Sequence, residues 1–262
     1  MGIVGAQHAG MSVGSIKVGH LGISIELGDR NDRMITTEQW TDNVYRLQES
    51  MVRKTGVVVD VGANLGAFAL YVAETCLRPT PTRSVHDAPG PLKPEFPHLQ
   101  VYCYEPHPEN FERLTENVEK NKDKLPGVQF FLRPSAVGTT ESVVLYGDQT
   151  WAYTEHVPRS EDVPQAGGVQ VASVSLDDLF AREELEEIDF LKVDIEGGEY
   201  PLFETATEDA IARVRFIAME FHSATSPDHI GLLITKLMQS HKVTTLGTWG
   251  RGGCIYAERY QL

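Results

Sequence analysis

The stretch Val57-Val58-Val59-Asp60-Val61-Gly62-Ala63-Asn64-Leu65-Gly66 decides how the rest of the chain reads. The β-branched run suits a parallel strand buried on both faces. Two glycines then punctuate a turn, and an apolar stretch from Ala67 to about Leu77 has the composition of a helix. Glycines between a strand and a helix let the backbone approach a ligand, and the first N–H groups of the helix are free to meet it. The dinucleotide fingerprint would need G-x-G-x-x-G. Here Asp60 occupies the first glycine's place, where a carboxylate would repel a pyrophosphate. That argues against a nicotinamide oxidoreductase. It suits a ligand with an ammonium group and no phosphate, as in S-adenosylmethionine. The same residues also suit a tight turn that binds nothing.

Working outward, strands and helices alternate. Val101 to Tyr104 predicts a second strand ending at Glu105, followed by a helix with Phe111, Leu114 and Val118 on one face. Strands are expected near 128–132 and 142–146, with a less regular region to about 170. Further buried strands are expected at Ile188 to Val193 and Phe216 to Phe221, then a helix over 230–241 and strands near 242–246 and 254–259. This rhythm predicts an α/β fold with a mostly parallel sheet. On the N-terminal side, Leu21, Ile23, Ile25 and Leu27 alternate as in a half-buried strand. Seven of the first thirty residues are glycine, so the opening reads as loose. Thr36 and Gln39 resemble a capping box, and Trp40, Val44, Leu47 and Met51 follow at helical spacing, predicting a helix near 37–53. The expected organisation is an N-terminal extension and strand over 1–36 and one large domain over 37–262. Residues 79–97 hold six of the fourteen prolines and interrupt the pattern as an irregular loop, either a mobile lid or, the preferred reading, a neutral surface insertion.

Composition removes several function classes. The 262 residues carry 23 Lys and Arg against 37 Asp and Glu, a formal charge of −14. Sequence-independent nucleic-acid binding draws on Lys and Arg at phosphates, so nucleic acid is a poor partner. No Asn/Asp-Pro-Pro-aromatic element of base-amine methylation occurs. Cys76, Cys103 and Cys254 are odd in number and widely spaced, with no C-x-x-C, so neither a zinc site nor a disulfide framework is indicated. No N-x-[ST] sequon appears, and residues 1–14 lack the charged and apolar parts of a signal peptide. The longest apolar stretch, Val57 to Ala73, contains Asp60, Asn64 and two glycines, which argues against a membrane span. A cytoplasmic protein is the expectation.

Three further motifs carry chemistry. Glu105 ends the second strand, where an acid can accept both ribose hydroxyls of a nucleoside. It stands 45 residues beyond Asp60 rather than about 20, and the proline-rich segment accounts for most of the excess. It also reads as an ordinary solvated strand-end glutamate. Lys192, in the run Lys192-Val193-Asp194-Ile195-Glu196-Gly197-Gly198-Glu199, lies in a strand that looks buried, and a buried ammonium needs a partner. Glu220 on the next strand is the expected one. Asp194 and Glu196 fall at the strand's carboxyl end, either facing a ligand or, for Glu196, favoured by a helix start. His222 follows Glu220-Phe221 at the end of the next strand and is suited to take a proton near neutral pH. The negative charge is concentrated here. Between Asp177 and Glu199 stand ten acids and two bases, and the last three acids, Asp194, Glu196 and Glu199, are expected at the rim of the site.

Together the stretches VVVDVGANLGAFAL (57–70), VYCYEPHPENFERLTENV (101–118), SLDDLF (175–180), IDFLKVDIEGGEYPLFE (188–204) and FIAMEFH (216–222) resemble the FkbM family of S-adenosylmethionine-dependent methyltransferases. The resemblance spans roughly 40–258. It implies a Rossmann-like seven-strand methyltransferase sheet, mostly parallel with the last strand antiparallel and helices on both faces. It implies O-methylation of a small-molecule acceptor, a natural product or sugar. N-methylation, or a catalytically inactive S-adenosylmethionine-binding protein of the same fold, is the alternative. Carried over, Asp60, Gly62, Asn64 and Gly66 would cradle the aminoacid end of the cofactor. Glu105, with Pro106 beside it, would hold the ribose. Ser135 and Ala136 would lie near the adenine, and Asp194 would border both cofactor and transfer site. Catalysis is expected of His222, or of a carboxylate from Asp194 or Glu196, with Lys192 in either a catalytic or a structural role. A divalent cation among Asp194, Glu196, Glu220 and His222 is a less favoured expectation, because no dense ligand spacing supports it.

Overall fold

A computed structural model of the protein describes residues 14–28, 30–48, 51–52, 56–77, 98–139, 142–146, 153–154, 168–222, 227–248 and 252–261. The first thirteen residues and the proline-rich 79–97 segment lie outside them. The chain opens with a hairpin, β1 (Gly14–Val18) and β2 (Ile23–Leu27), and helix α1 (Arg30–Thr41). Then come β3 (Val57–Val61), α2 (Ala67–Cys76), β4 (Leu99–Tyr104), α3 (Pro108–Asn121) and β5 (Val128–Arg133). A small sheet follows from β6 (Ala136–Val137), β7 (Ser142–Tyr146), β8 (Tyr153–Thr154) and β9 (Val169–Val174). The remainder is α4 (Leu176–Arg182), β10 (Ile188–Val193), α5 (Glu199–Thr205), α6 (Glu208–Ala212), β11 (Val214–Phe221), α7 (Pro227–Leu237), β12 (His241–Thr248) and β13 (Gly252–Arg259).

The main sheet has seven strands in the order β12-β13-β11-β10-β3-β4-β5. The pairs from β11 through β10, β3 and β4 to β5 are parallel, and β13, the last in sequence, runs antiparallel to both its neighbours. This is the mostly parallel sheet with an antiparallel last strand that the sequence resemblance implies. Its central strands are buried on both faces: all six residues of β10 are buried. Each large apolar side chain so buried contributes about 1.5–3 kcal/mol. Helix α2 is buried nearly all round because it lies beneath both the hairpin and α1.

The hairpin is tied down by side chains rather than by strands. The Asn121 and Asn117 amide oxygens accept the Ser24 and Glu26 N–H groups at 2.9 and 2.8 Å. Buried Glu74 of α2 accepts from the Leu21 N–H and the Trp40 indole, both at 2.6 Å.

Helix α1 departs from the expected 37–53. It begins at Arg30, where Asp32 in its first turn accepts the Gly28 N–H and pairs with Arg113 at 2.6 Å. Thr36 is therefore a buried mid-helix residue, not a cap. The helix ends at Thr41 because Asn43 takes a left-handed conformation and exchanges two hydrogen bonds with Leu47, 2.8 and 2.9 Å long. Asparagine competes in this way with helical hydrogen bonding. The apolar spacing still marks burial: Val44, Leu47 and Met51 pack on the same core as Trp40. The short strand β8 falls inside the segment expected to be irregular, and β9 begins at its end.

Candidate active site

Because β3, β4, β5, β10 and β11 are parallel, the turns after them gather at one end of the sheet, where ligands bind in open α/β folds. A cavity of about 580 Å³ opens there, within the range of small-molecule sites. Its floor is the turn after β3. Gly62 has φ +80°, and a Cβ there would lie 1.8 Å from the Asp194 carbonyl oxygen. Only glycine lets the ends of β3 and β10 pass this closely.

Asp60 does not line the cavity. It is fully buried one layer behind, with its Oδ1 3.1 Å from Lys192 Nζ. Lys192 also donates to the Gly62 carbonyl at 2.6 Å and approaches Asp194 Oδ2 at 3.7 Å. The expected Lys192–Glu220 pair is thus corrected to Lys192–Asp60. The register explains it: Lys192 stands opposite Asp60 on β3 but opposite Ala218 on β11, with Glu220 two residues further along. Burial raises the Asp60 pKa, and Lys192 opposes that rise.

Asn64, Glu105 and Pro106 line one end of the cavity. The Glu105 carboxylate accepts the Asn64 N–H at 2.8 Å and the His107 N–H at 2.9 Å. Burial nevertheless pushes its carboxyl up to about 7, against those two donors. Glu105 is buried, not the solvated strand-end acid of the alternative reading. The Asn64 Oδ1 is buried with no partner among the described residues, and so is the Ser135 Oγ. Ala136 and Val137 of β6 form an apolar wall, while Ser135 stands behind it. Gly66 opens α2 in a left-handed conformation.

These features fit S-adenosylmethionine. Asn64 Oδ1 offers an unused acceptor beside the turn for an ammonium group. Glu105 offers a carboxylate to a diol, and Ala136 and Val137 offer a flat apolar surface to a purine.

At the other end Asp194, Glu196, Glu220 and His222 come together. His222 Nδ1 is 2.9 Å from Glu199 Oε1, its Nε2 is 3.2 Å from Glu196 Oε2, and Glu220 Oε1 is 3.8 Å away. Burial lowers the His222 pKa, but the hydrogen bond to Glu199 and the charges of Glu199, Glu196 and Asp194 override it and push it up to about 10. Burial pushes Glu196 up to about 7, with His222 opposing. Glu199 was expected at the rim. It is fully buried, holds His222, and also accepts the Ile195 N–H at 3.3 Å. One ligating atom from each of Asp194, Glu220 and His222 lies within 4.8 Å of the others, a spacing that admits a cation. Glu196 is not in that group.

Sequence reasoning missed the wall supplied by α1 and the turn after it. Met34, Ile35, Glu38 and Asp42 face the cavity, and the Tyr45 hydroxyl donates to Asp194 Oδ2 at 2.9 Å. Tyr45 sat inside an apolar helical pattern, and no local signal marks it as reaching a residue 149 positions away.

A sheet in this order, with a glycine turn and a strand-end acid bounding the cavity at its carboxyl end, defines the Rossmann-like methyltransferase class. The chain belongs to the methyltransferase FkbM domain family, whose model matches residues 60–241. It is similar to the hexuronic acid methyltransferase AglP of Haloferax volcanii, 26% identical over 78% of this chain and 72% of that protein. It is equally 26% identical to the methyltransferase sdnD of Sordaria araneosa, over 72% and 74% of the two chains. Among solved structures, the methyltransferase FkbM of Methylobacillus flagellatus aligns at a TM-score of 0.43 and 15% identity, over 84% of this chain and 50% of that one. Among the described residues no helix is long and apolar enough to cross a membrane.

Proposed function

We propose that this methyltransferase moves a methyl group from S-adenosylmethionine to a hydroxyl of a small molecule, a sugar or a natural product. The observation that carries the reading is one cavity with two chemically distinct ends. Asn64 and Glu105 supply the polar contacts for the cofactor's aminoacid and ribose groups at one. Asp194, Glu196 and His222 surround the acceptor at the other. The named activity of AglP, on a hexuronic acid, supports a sugar-like acceptor.

Bound S-adenosylmethionine supplies an electrophilic methyl group on a sulfonium. The protein's part is to hold an acceptor oxygen in line with that methyl and to remove the hydroxyl proton. Glu196 is the group suited to receive it, because a carboxyl near 7 is about half ionised at neutral pH and strong enough to act as base. His222 already carries its proton at that pH and serves as a donor, bridging Glu196 and Glu199. Glu196 would take the hydroxyl proton as that oxygen accepts the methyl group, so that a methyl ether, a neutral thioether and a protonated Glu196 would balance the reaction. Lys192, which lines the cavity, holds the Gly62 carbonyl and so the turn, with Asp60 pairing it from behind.

Calorimetry with S-adenosylmethionine and its demethylated product tests the cofactor, repeated with Asn64→Ala and Glu105→Ala, which remove the two polar contacts assigned to it. Mass spectrometry of hydroxyl- and amine-bearing sugars after incubation tests the acceptor atom. No cofactor binding by the parent protein overturns the reading, and methylation confined to amines overturns its oxygen acceptor.

A further inference from the structure

The family match begins at residue 60, yet part of the acceptor end is built from residues before it. The connection after α1 is held from both sides. Asn43 and Leu47 close a turn through their paired hydrogen bonds. The Tyr256 hydroxyl of β13 donates to the Val44 carbonyl at 2.6 Å, and the Arg46 guanidinium lies 4.3 Å from the centre of the Tyr256 ring. Between these tethers Tyr45 points inward. Its ring meets Phe68 of α2 edge-on, with centroids 5.3 Å apart, and Lys192 Nζ lies 5.4 Å from the ring centre. Its hydroxyl reaches Asp194 Oδ2 at 2.9 Å.

Asp194 follows β10 directly, and its N–H is bonded to the Val61 carbonyl at 3.0 Å, so its backbone is fixed. Its side chain is not fixed by the backbone, because an aspartate still turns about two bonds. The Tyr45 hydroxyl and the Lys192 ammonium both approach Oδ2, the first at 2.9 and the second at 3.7 Å. The second oxygen is therefore the one left for a ligand. A hydrogen bond to a charged acceptor is among the stronger kind and fixes direction as well as distance.

We propose that Tyr45 is a positioning residue for methyl transfer: its hydroxyl, delivered by the turn after α1, locks the Asp194 carboxylate into the orientation that presents one oxygen to the transfer site. This rests on the function proposed above. It assigns the segment before the family match a part in the reaction, because Tyr45 touches Asp194 and not the reacting atoms.

Tyr45→Phe keeps the ring and its contact with Phe68 and removes only the hydroxyl. The expected result is a fall in kcat of about ten- to a hundred-fold, the effect of losing one hydrogen bond to a charged group, with acceptor KM changed far less. In an Asp194→Ala background, which offers the phenol no acceptor, the same substitution is expected to cost nothing further. Thermal denaturation of the four ligand-free proteins gives a readout independent of turnover. Tyr45→Phe is expected to lower the melting temperature of the parent and to leave that of Asp194→Ala nearly unchanged. Additive losses in kcat, or equal destabilisation in both backgrounds, overturn the inference and leave the proposed function standing. Absence of methyl transfer by the parent overturns both.

Discussion

His222 Nδ1 lies 2.9 Å from Glu199 Oε1, and the Glu199 side chain has no solvent exposure. A fully buried carboxylate in contact with an imidazole favours the imidazolium, because the cation is its nearest compensation. Glu196, in contact with the other ring nitrogen at 3.2 Å, then becomes the group whose proton is exchangeable near neutral pH.

With S-adenosylmethionine saturating, so that ionisation of Glu105 near 7 does not enter, the pH dependence of kcat/KM for the acceptor is expected to be bell-shaped. Activity rises as Glu196 loses its proton near 7 and falls as His222 loses its own near 10. Glu196→Gln is expected to abolish the rising limb and lower kcat by about a hundred-fold or more. Glu199→Gln removes the partner that holds His222 protonated, so the falling limb is expected to move down by about a pH unit or more. A pH–rate profile of the three proteins checks both, and an unchanged rising limb in Glu196→Gln rules that residue out as base.

If Glu105 holds the cofactor as proposed, its ionisation trades stability of the ligand-free fold for that contact. Its carboxyl is raised to about 7 in the folded chain, so between its unfolded value near 4.3 and 7 the native state binds more protons than the unfolded one. Ionising it therefore destabilises the ligand-free fold as pH rises through that window. Glu105→Gln is expected to match the parent in melting temperature at pH 4, to exceed it at pH 8, and to bind S-adenosylmethionine more weakly. Melts at both pH values with calorimetry at pH 8 decide this, and a variant less stable than the parent at pH 8 contradicts it.

Gly62→Ala and Gly66→Ala separate a backbone clash from a side-chain one. At Gly62 the new methyl meets the Asp194 carbonyl, which belongs to a central strand end and cannot yield. Overpacking and the left-handed backbone together predict a loss of about 2–5 kcal/mol. At Gly66 the nearest atom is the Leu114 Cδ1 at 2.8 Å, the far end of a side chain that can rotate. A smaller loss is expected, and urea denaturation of both variants measures the difference.

Lys192→Met strands the buried Asp60. Removing one member of a buried ion pair costs about 3–5 kcal/mol, whereas replacing both can be near neutral. Asp60→Asn is therefore expected to recover much of the stability lost in Lys192→Met. A double variant no more stable than Lys192→Met alone would show that the ammonium acts mainly on the Gly62 carbonyl instead.

Much of the site was legible because its signals are local. Glycines at 62 and 66, an acid at 105 and the Asp194–Glu196 pair each sit at the carboxyl end of a strand whose apolar run is contiguous in sequence. The helix at 30–41 was displaced in the reading because Trp40, Val44 and Leu47 keep a helical spacing of buried residues while Asn43 turns the backbone out of the helix. Burial pattern and backbone conformation usually travel together, and here they part at one asparagine.

The sequence by itself determined the alternation of strands and helices, the family resemblance, and which strand ends carry acids and glycines, since all of these depend on residues near one another in the chain. Only the tertiary structure decided the partners. Lys192 meets Asp60 rather than Glu220 because sheet register, set by the packing of whole strands, places them opposite one another. Tyr45 reaches Asp194 for a related reason: the turn after α1 is anchored to β13 by Tyr256. Glu199, the first residue of α5, is buried against His222, which follows β11, although the two stand 23 positions apart in the chain. Charge state follows from partner and burial, so the division of work proposed for His222 and Glu196 rests on the fold.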